Sequence, residues 1–382
     1  MKIPFNKPYL TGKETFYIQD AVYSGHLSGN GKYTKKCQKF FEEKYGFKKA
    51  LLTTSCTDAL EMCAMLLDIK EGDEVIMPSY TFVSTALAFV RQGAKIVFVD
   101  SCKSQPNMDA DAIEALITSK TKAIVPVHYA GVSVDMDKIM QLANKYNLYV
   151  VEDAAQGIDS YYKNKPLGGI GHLGTFSFHE TKNVIAGEGG LLIINDDKFV
   201  ERAEILWEKG TNRASFFRGE INKYGWVDTG SSFLPSELTA AFLFAQLENI
   251  EAIQRKRISN WHQYYNGLKG LEQDHKLRLP VVTENATNNG HMFYIVCNSE
   301  NERAQLIEHL KEEQIYAVFH YLSLHNSPYY QSIHGQRELP LSDYYSNHLL
   351  RLPMYYELSE DAILKIVDRI KEFYDKPISI NG

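Results

Sequence analysis

Two regimes of hydrophobic patterning divide the chain. Between residues 50 and 195, short runs that are apolar at nearly every position alternate with segments whose apolar residues recur every three or four places. Runs of the first kind belong to strands covered on both faces, and helices between such strands connect parallel neighbours. The pattern predicts strands over 50–53, 74–77, 95–100, 123–127, 148–152, 175–178 and 191–195, with helices over 57–67, 81–91, 109–117 and 135–146. Ahead of this region, Thr11-Gly-Lys-Glu14 reads as a capping box opening an amphipathic helix that ends before Gly25, and a second helix follows the Gly29-Asn-Gly31 loop. Beyond residue 195 helical periodicity dominates. One long helix is predicted over 236–271, then strands over 291–297 and 315–320 and helices over 300–313 and 359–373. The implied fold is α/β, with a large, mainly parallel sheet domain over residues 1–250 and a smaller α+β domain over 251–382.

Composition narrows the class. With 382 residues, 44% hydrophobic and 23% charged, the chain is too long for one small core and too apolar for disorder. A formal net charge of −6 offers no general attraction for nucleic acid or an anionic membrane, so neither is expected as a partner. No apolar stretch approaches the ~18 residues of a spanning helix, and the first residues lack a signal-like apolar segment, which makes the cytoplasm the expected compartment. Cys37, Cys56, Cys63, Cys102 and Cys297 form no CxxC pair and have no histidine cluster at ligand spacing. Reduced thiols and no metal site are expected.

Candidate chemistry gathers in the α/β half. Asp153 closes an apolar run at a predicted strand end, the side on which open α/β sheets bind ligands. A helix cap or an ion pair would also account for it. Lys182 follows in Ser-Phe-His-Glu-Thr-Lys, near the hydroxyls of Ser177 and Thr181 and just before Gly187, Gly189 and Gly190, which let backbone approach a ligand. A lysine alone is ordinarily a solvated surface residue; its neighbours make it a candidate. Thr54-Ser-Cys-Thr-Asp58 joins a strand to a helix start, where hydroxyls and unpaired N–H groups meet the positive end of the helix dipole. That suits a phosphate, and equally an ordinary N-cap. Phe82, after another strand, offers a ring to stack on a planar ligand, although a core or surface role explains most aromatic residues. Lys209, Arg213, Arg218 and Lys223 offer charge-assisted hydrogen bonds to a diphosphate, against the commoner reading of a solvated loop. Tyr321 and His325 are candidate substrate contacts. A carboxylate that keeps a pyridine nitrogen protonated and a lysine that holds an aldehyde as a Schiff base are what pyridoxal phosphate chemistry requires.

The motifs TSCTDALE at 54–61, PSYTFVSTA at 78–86, VEDAAQG at 151–157, SFHETKN at 177–183 and GEGG at 187–190 occur in that order. With them the chain resembles, over nearly its whole length, the DegT/DnrJ/EryC1/StrS family of sugar aminotransferases. The resemblance implies a pyridoxal 5'-phosphate (PLP)-dependent transferase of fold type I, like aspartate aminotransferase. It implies that Lys182 carries the Schiff base, Asp153 pairs with the pyridine nitrogen, Gln156 approaches the ring hydroxyl, Phe82 stacks on the ring, and Thr57, Asp58 and Ser177 surround the phosphate. Much of the family has an asparagine and an arginine where Ser232 and Leu234 stand here, the asparagine reaching the phosphate of the other subunit, which makes Ser232 its replacement. Within the family, FHETKN, EKGTNR, HMFYI and FHYLSLH resemble members that act on dTDP-sugars. They imply a homodimer taking L-glutamate as donor and dTDP-4-dehydro-6-deoxy-D-glucose as acceptor. The destination of the product, enterobacterial common antigen or O-antigen, is left open. A related dehydratase branch carries histidine at the position of Lys182, so the lysine argues against it, and a sugar-nucleotide sensor would need neither Lys182 nor Asp153.

Overall fold

In the computed structural model, which describes residues 2–375, the apolar runs of the first half pair into one seven-stranded sheet. Its strands are β1 (Lys49–Thr53), β2 (Glu74–Pro78), β3 (Lys95–Val99), β4 (Thr121–Ile124), β5 (Tyr149–Asp153), β6 (Leu173–Ser177) and β7 (Gly190–Ile194), in the order β1-β7-β6-β5-β4-β2-β3. β7 runs antiparallel to both neighbours, and every other pairing is parallel. Successive strand residues feed opposite faces. Ala50, Leu52, Ile76, Ile124, Val150 and Ile193 enter one core, closed by helices Lys32–Tyr45, Met136–Tyr146 and Glu237–Leu247. Leu51, Val75, Met77, Ala123, Val151 and Leu192 enter the other, closed by Cys56–Leu66, Val83–Val90 and Val200–Trp207. Burial on both faces is why these strands are apolar throughout, and each buried Val, Leu or Ile contributes about 1.5–3 kcal/mol.

A second sheet carries β8 (Leu277–Arg278), β9 (Phe293–Cys297), β10 (Val318–Phe319) and β11 (Leu349–Leu352) in the antiparallel order β8-β9-β11-β10. Trp261, Tyr264, Leu306, Leu310, Ile363 and Ile366 pack helices Ile250–Gln273, Glu300–Glu312 and Glu360–Asp375 around it. Ile3 belongs to this core and bridges to Ile315, so the start of the chain is built into its last sheet. A tyrosine-rich seam of Tyr80, Tyr129, Tyr294 and Tyr345 joins the two parts.

Four predicted elements differ. The helix over 109–117 is two 3₁₀ turns, Ala110–Ala112 and Glu114–Leu116. Ala110 and Ile113 are its buried residues, and three residues per turn place both on one side. The long helix over 236–271 is two helices parted at Glu248 and Asn249, where Asn249 Nδ2 donates to the Ala245 carbonyl and its backbone leaves helical geometry. The strand over 315–320 pairs with β11 only at Val318 and Phe319. The capping box is half formed: Glu14 accepts from the Thr11 and Gly12 amides at 2.8 and 2.9 Å, while Lys13 occupies the cap without a side-chain bond. Among the described residues, no helix is long and apolar enough to cross a membrane, and no group of three or more His, Cys, Asp or Glu is arranged to hold a metal.

Candidate active site

The carboxyl ends of β4, β5 and β6 face a cleft of about 510 Å³, within the roughly 300–1,000 Å³ usual for small-molecule sites. Asp153, the last residue of β5, reaches it from a buried position. Its Oδ2 accepts from Thr85 Oγ1 at 2.7 Å and its Oδ1 from the Ala155 amide at 3.1 Å, while Thr81 and Thr85 share a hydroxyl contact of 2.9 Å. This carboxylate is therefore held in one orientation with an edge toward the cleft.

Lys182 lines the same cleft from the loop between β6 and β7. The loop is tied shut: Phe178 donates to the Gly189 carbonyl, Ala186 to Phe178, and Glu180 to Gly187. Gly187 adopts a left-handed backbone there, at φ 79°, which glycine tolerates without strain. Burial lowers the Lys182 amine from its ordinary range; Cys56 and Asp153 oppose the shift and Arg351 adds to it. Among the described residues the amine has no ion-pair partner.

The floor is the N-terminus of helix Cys56–Leu66, capped by Ser55 Oγ accepting from the Asp58 amide at 3.0 Å. Thr57 donates to Ser84 Oγ at 2.8 Å, the Thr54 hydroxyl binds the Asp58 carboxylate, and Ser177 closes the rim from the end of β6. Gly190 makes this floor possible, because a Cβ there would lie 2.4 Å from Cys56 N and from Ser55 C and O. The Cys56 thiol beside it is pushed up to about 12 by burial, and so stays protonated.

The roof is aromatic. Phe82 is 56% exposed at the cleft, with its ring centroid 6.1 Å from that of Tyr321. Gln156 accepts from the Ala130 amide at 2.6 Å and donates to the Tyr321 hydroxyl at 3.1 Å. Beyond them lie His291, His320 and Arg351 from the second sheet region, which sequence reasoning did not select. Asn183 Nδ2 donates to Gln254 Oε1 and the Asn289 carbonyl, so its Oδ1 faces His291 Nδ1 at 2.9 Å. That order places the His291 proton on Nδ1 and leaves Nε2 as an acceptor. Burial, reinforced by Lys182 and Arg351, holds both imidazoles well below their ordinary range and hence neutral.

The structure thus brings together Thr57, Phe82, Asp153, Gln156, Ser177, Lys182 and Tyr321, with Asp58 one turn inside the floor helix. It does not bring Lys209, Arg213, Lys223 or Ser232 to this cleft. All four are exposed on the segment 208–232, where Arg213 stacks on Phe217 at 5.0 Å. His325 is also set apart: it is buried, binds Ser79 Oγ through Nδ1 at 2.7 Å, and faces Asp343. The signal overlooked for Arg351 was a single guanidinium inside the apolar strand β11; Thr85 and His291 lie in the strings PSYTFVSTA and HMFYI, but nothing within those strings singled them out as site residues.

The donor set fits pyridoxal phosphate. A fixed carboxylate and a buried amine share one cleft, above a helix N-terminus that a glycine leaves open for an anion. Comparison with known proteins agrees. The model of the DegT/DnrJ/EryC1/StrS aminotransferase family matches residues 8–371. GDP-perosamine synthase of Escherichia coli O157:H7 is 32% identical over 373 residues, covering 97% of this chain and 98% of that protein. An aminotransferase structure from Psychrobacter cryohalolentis superposes with a TM-score of 0.92 at 27% identity, covering 98% and 99% of the two chains. The PLP form of a sugar aminotransferase from Streptococcus pneumoniae gives 0.89 at 25% identity, covering 98% and 99%. The chain belongs to the DegT/DnrJ/EryC1/StrS family and is a sugar aminotransferase of the PLP-dependent type.

Proposed function

We propose that the enzyme moves the amino group of L-glutamate to C4 of dTDP-4-dehydro-6-deoxy-D-glucose, giving dTDP-4-amino-4,6-dideoxy-D-galactose and 2-oxoglutarate. The observation that carries this reading is the convergence of Lys182 and Asp153 on one cleft above a phosphate-sized helix N-terminus. The choice of sugar rests on the strings FHETKN, EKGTNR, HMFYI and FHYLSLH, which resemble the dTDP-4-amino-4,6-dideoxygalactose transaminases.

Pyridoxal phosphate, when bound, supplies an aldehyde for amine exchange and a ring that delocalises carbanion charge. Lys182 would hold that aldehyde, and as a free amine in the cleft it is the residue that could accept and return a proton there. Its lowered pKa raises the share of free amine near neutral pH, as a base requires. Asp153, pinned by Thr85 and the Ala155 amide, would keep a proton on the ring nitrogen. Phe82 would cover one face of the ring, and Gln156 would serve its hydroxyl. Thr57, Ser177 and the first amides of helix Cys56–Leu66 would hold the phosphate, with Asp58 orienting the Thr54 hydroxyl. Tyr321 closes the substrate side. Lys209, Arg213, Lys223 and Ser232 lie outside this cleft and serve the site of the other subunit in a cytoplasmic homodimer, Ser232 at the phosphate and the three cations at the diphosphate. His325, tied to Ser79, is withdrawn from the substrate contacts.

Incubation with L-glutamate and dTDP-4-dehydro-6-deoxy-D-glucose, followed by NMR of the product, tests the assignment. An axial C4 amine on a dTDP-sugar is the expected result. A sister reading, with another nucleotide, carbon or configuration, draws support from the relative named GDP-perosamine synthase; the same spectrum separates the two. Lys182→Ala should abolish both turnover and the borohydride-reducible link to cofactor, and normal turnover in that variant would reject the whole assignment. Asp153→Asn should fold yet transaminate far more slowly. A colourless protein without spectral response to glutamate would point to a sensor instead.

A further inference from the structure

We infer that Asn107 is a positioning residue that decides which end of the Gln156 amide faces the cleft, a role that rests on the reading of Gln156 as partner of the cofactor's ring hydroxyl. Asn107 is buried on the loop after β3 and does not itself line the cleft. Its side chain brackets the turn Tyr129–Gly131, which follows β4: Oδ1 accepts from the Tyr129 amide at 2.9 Å, and Nδ2 donates to the Val132 carbonyl at 3.0 Å. Ser160 Oγ adds a hydrogen bond of 2.6 Å to the Gly131 carbonyl. Inside this bracket Ala130 takes a left-handed backbone, φ 58° and ψ 18°. A residue with a Cβ keeps that conformation only where its surroundings over-determine it.

The strained residue aims its amide at the site. Ala130 N–H donates to Gln156 Oε1 at 2.6 Å. An N–H meets only the oxygen end of a carboxamide, so this contact fixes the Gln156 side chain. Its Nε2 is turned to Tyr321, whose hydroxyl accepts one proton at 3.1 Å, and a second N–H remains for the cleft that Gln156 lines. Without the Ala130 contact the amide loses its polarity, because the Tyr321 hydroxyl can equally donate to Oε1, and Gln156 then turns an oxygen to the cleft. A donor favours the ionised form of a ring hydroxyl, whereas an acceptor repels it. The same turn meets the second sheet region through Tyr129, whose hydroxyl lies 2.9 Å from Nδ1 of His320, the neighbour of Tyr321. Asn107 thus sets a hydrogen bond in the cofactor site from outside the cleft, through one strained turn.

The test loads wild type, Asn107→Ala, Gln156→Ala and the double variant with pyridoxal phosphate and reads the pH midpoint of the visible absorbance band. Loss of a donor leaves the ring oxygen more strongly paired with the Schiff-base proton, so the midpoint should rise by about one pH unit in each single variant. The double variant should rise no further than Gln156→Ala, because Asn107 acts through Gln156. A loss of packing alone lowers the melting temperature without moving the midpoint. Apoenzyme gives a reading free of turnover: wild type should bind pyridoxal phosphate about tenfold more tightly than 3-deoxypyridoxal phosphate, which lacks the ring hydroxyl, and Asn107→Ala should lose that preference. Asn107→Asp keeps the acceptor for the Tyr129 amide but sets an oxygen against the Val132 carbonyl; it should move the midpoint the same way, and it reads the role should Asn107→Ala fail to fold. Gln156→Glu, which keeps an acceptor for Ala130 and turns an oxygen to the cleft, should raise the midpoint beyond Gln156→Ala. A midpoint and cofactor preference unchanged in the Asn107 variants while Gln156→Ala shifts both, or additive shifts in the double variant, would overturn the inference alone. No shift in Gln156→Ala would instead remove the reading of Gln156, and the role of Asn107 with it.

Discussion

At the scale of single residues, the site depends on side chains whose protons and orientations are imposed by neighbours. Thr85 gives Asp153 a buried, charge-assisted hydrogen bond at 2.7 Å. Replacing it by valine leaves that oxygen unsatisfied and should cost about 1–3 kcal/mol, measurable as a lower urea midpoint. His291 is neutral because burial disfavours its charged form. The unfolded chain has no such restraint and takes up a proton below roughly pH 6.5, so stability is unaffected above that range and falls as pH drops beneath it. His291→Gln should reduce that fall by up to about 1.4 kcal/mol per pH unit, read from urea unfolding at neutral and mildly acidic pH. An equal slope in variant and wild type would mean that His291 protonates freely in the folded protein.

Among elements, the decisive one is the contact between β7 and the start of helix Cys56–Leu66. The glycine at 190 permits two backbones to meet where any side chain would stand 2.4 Å from main-chain atoms. Gly190→Ala should push the helix N-terminus away from its phosphate position, destabilising the fold by about 1–3 kcal/mol and weakening cofactor retention. Thermal melting and the cofactor absorbance left after gel filtration measure the two effects. Strands were legible in the sequence because burial on both faces makes them apolar throughout. Helix ends were less so: the apolar period runs through Glu248 and Asn249, but an asparagine side chain claims the carbonyl that would continue the helix. At 109–117 only two buried residues, Ala110 and Ile113, were available to select a helix type, and their spacing favours the tighter one.

For the whole molecule, the exposed cations of the segment 208–232 lie off the cleft that their chemistry suits. A two-fold dimer that offers them to the neighbouring site should sediment at twice the chain mass. Mixing Lys182→Ala chains with Arg213→Glu chains, each inactive alone, should then restore about a quarter of wild-type activity, because half the dimers carry one site with both residues intact. No restoration would place Arg213 in its own chain's site. Sequence by itself determined the alternating α/β order and picked out the loops after β1, β2, β5 and β6 that meet at the cleft, since strand burial leaves a local apolar signature and each of these motifs is a short loop that follows a strand. The placement of Thr85 against Asp153, the proton of His291 and the burial of the Arg351 guanidinium at the cleft were decided only by tertiary structure. Each depends on groups brought together from distant parts of the chain, and a side chain's protonation and exposure follow from what packs around it rather than from its neighbours in sequence.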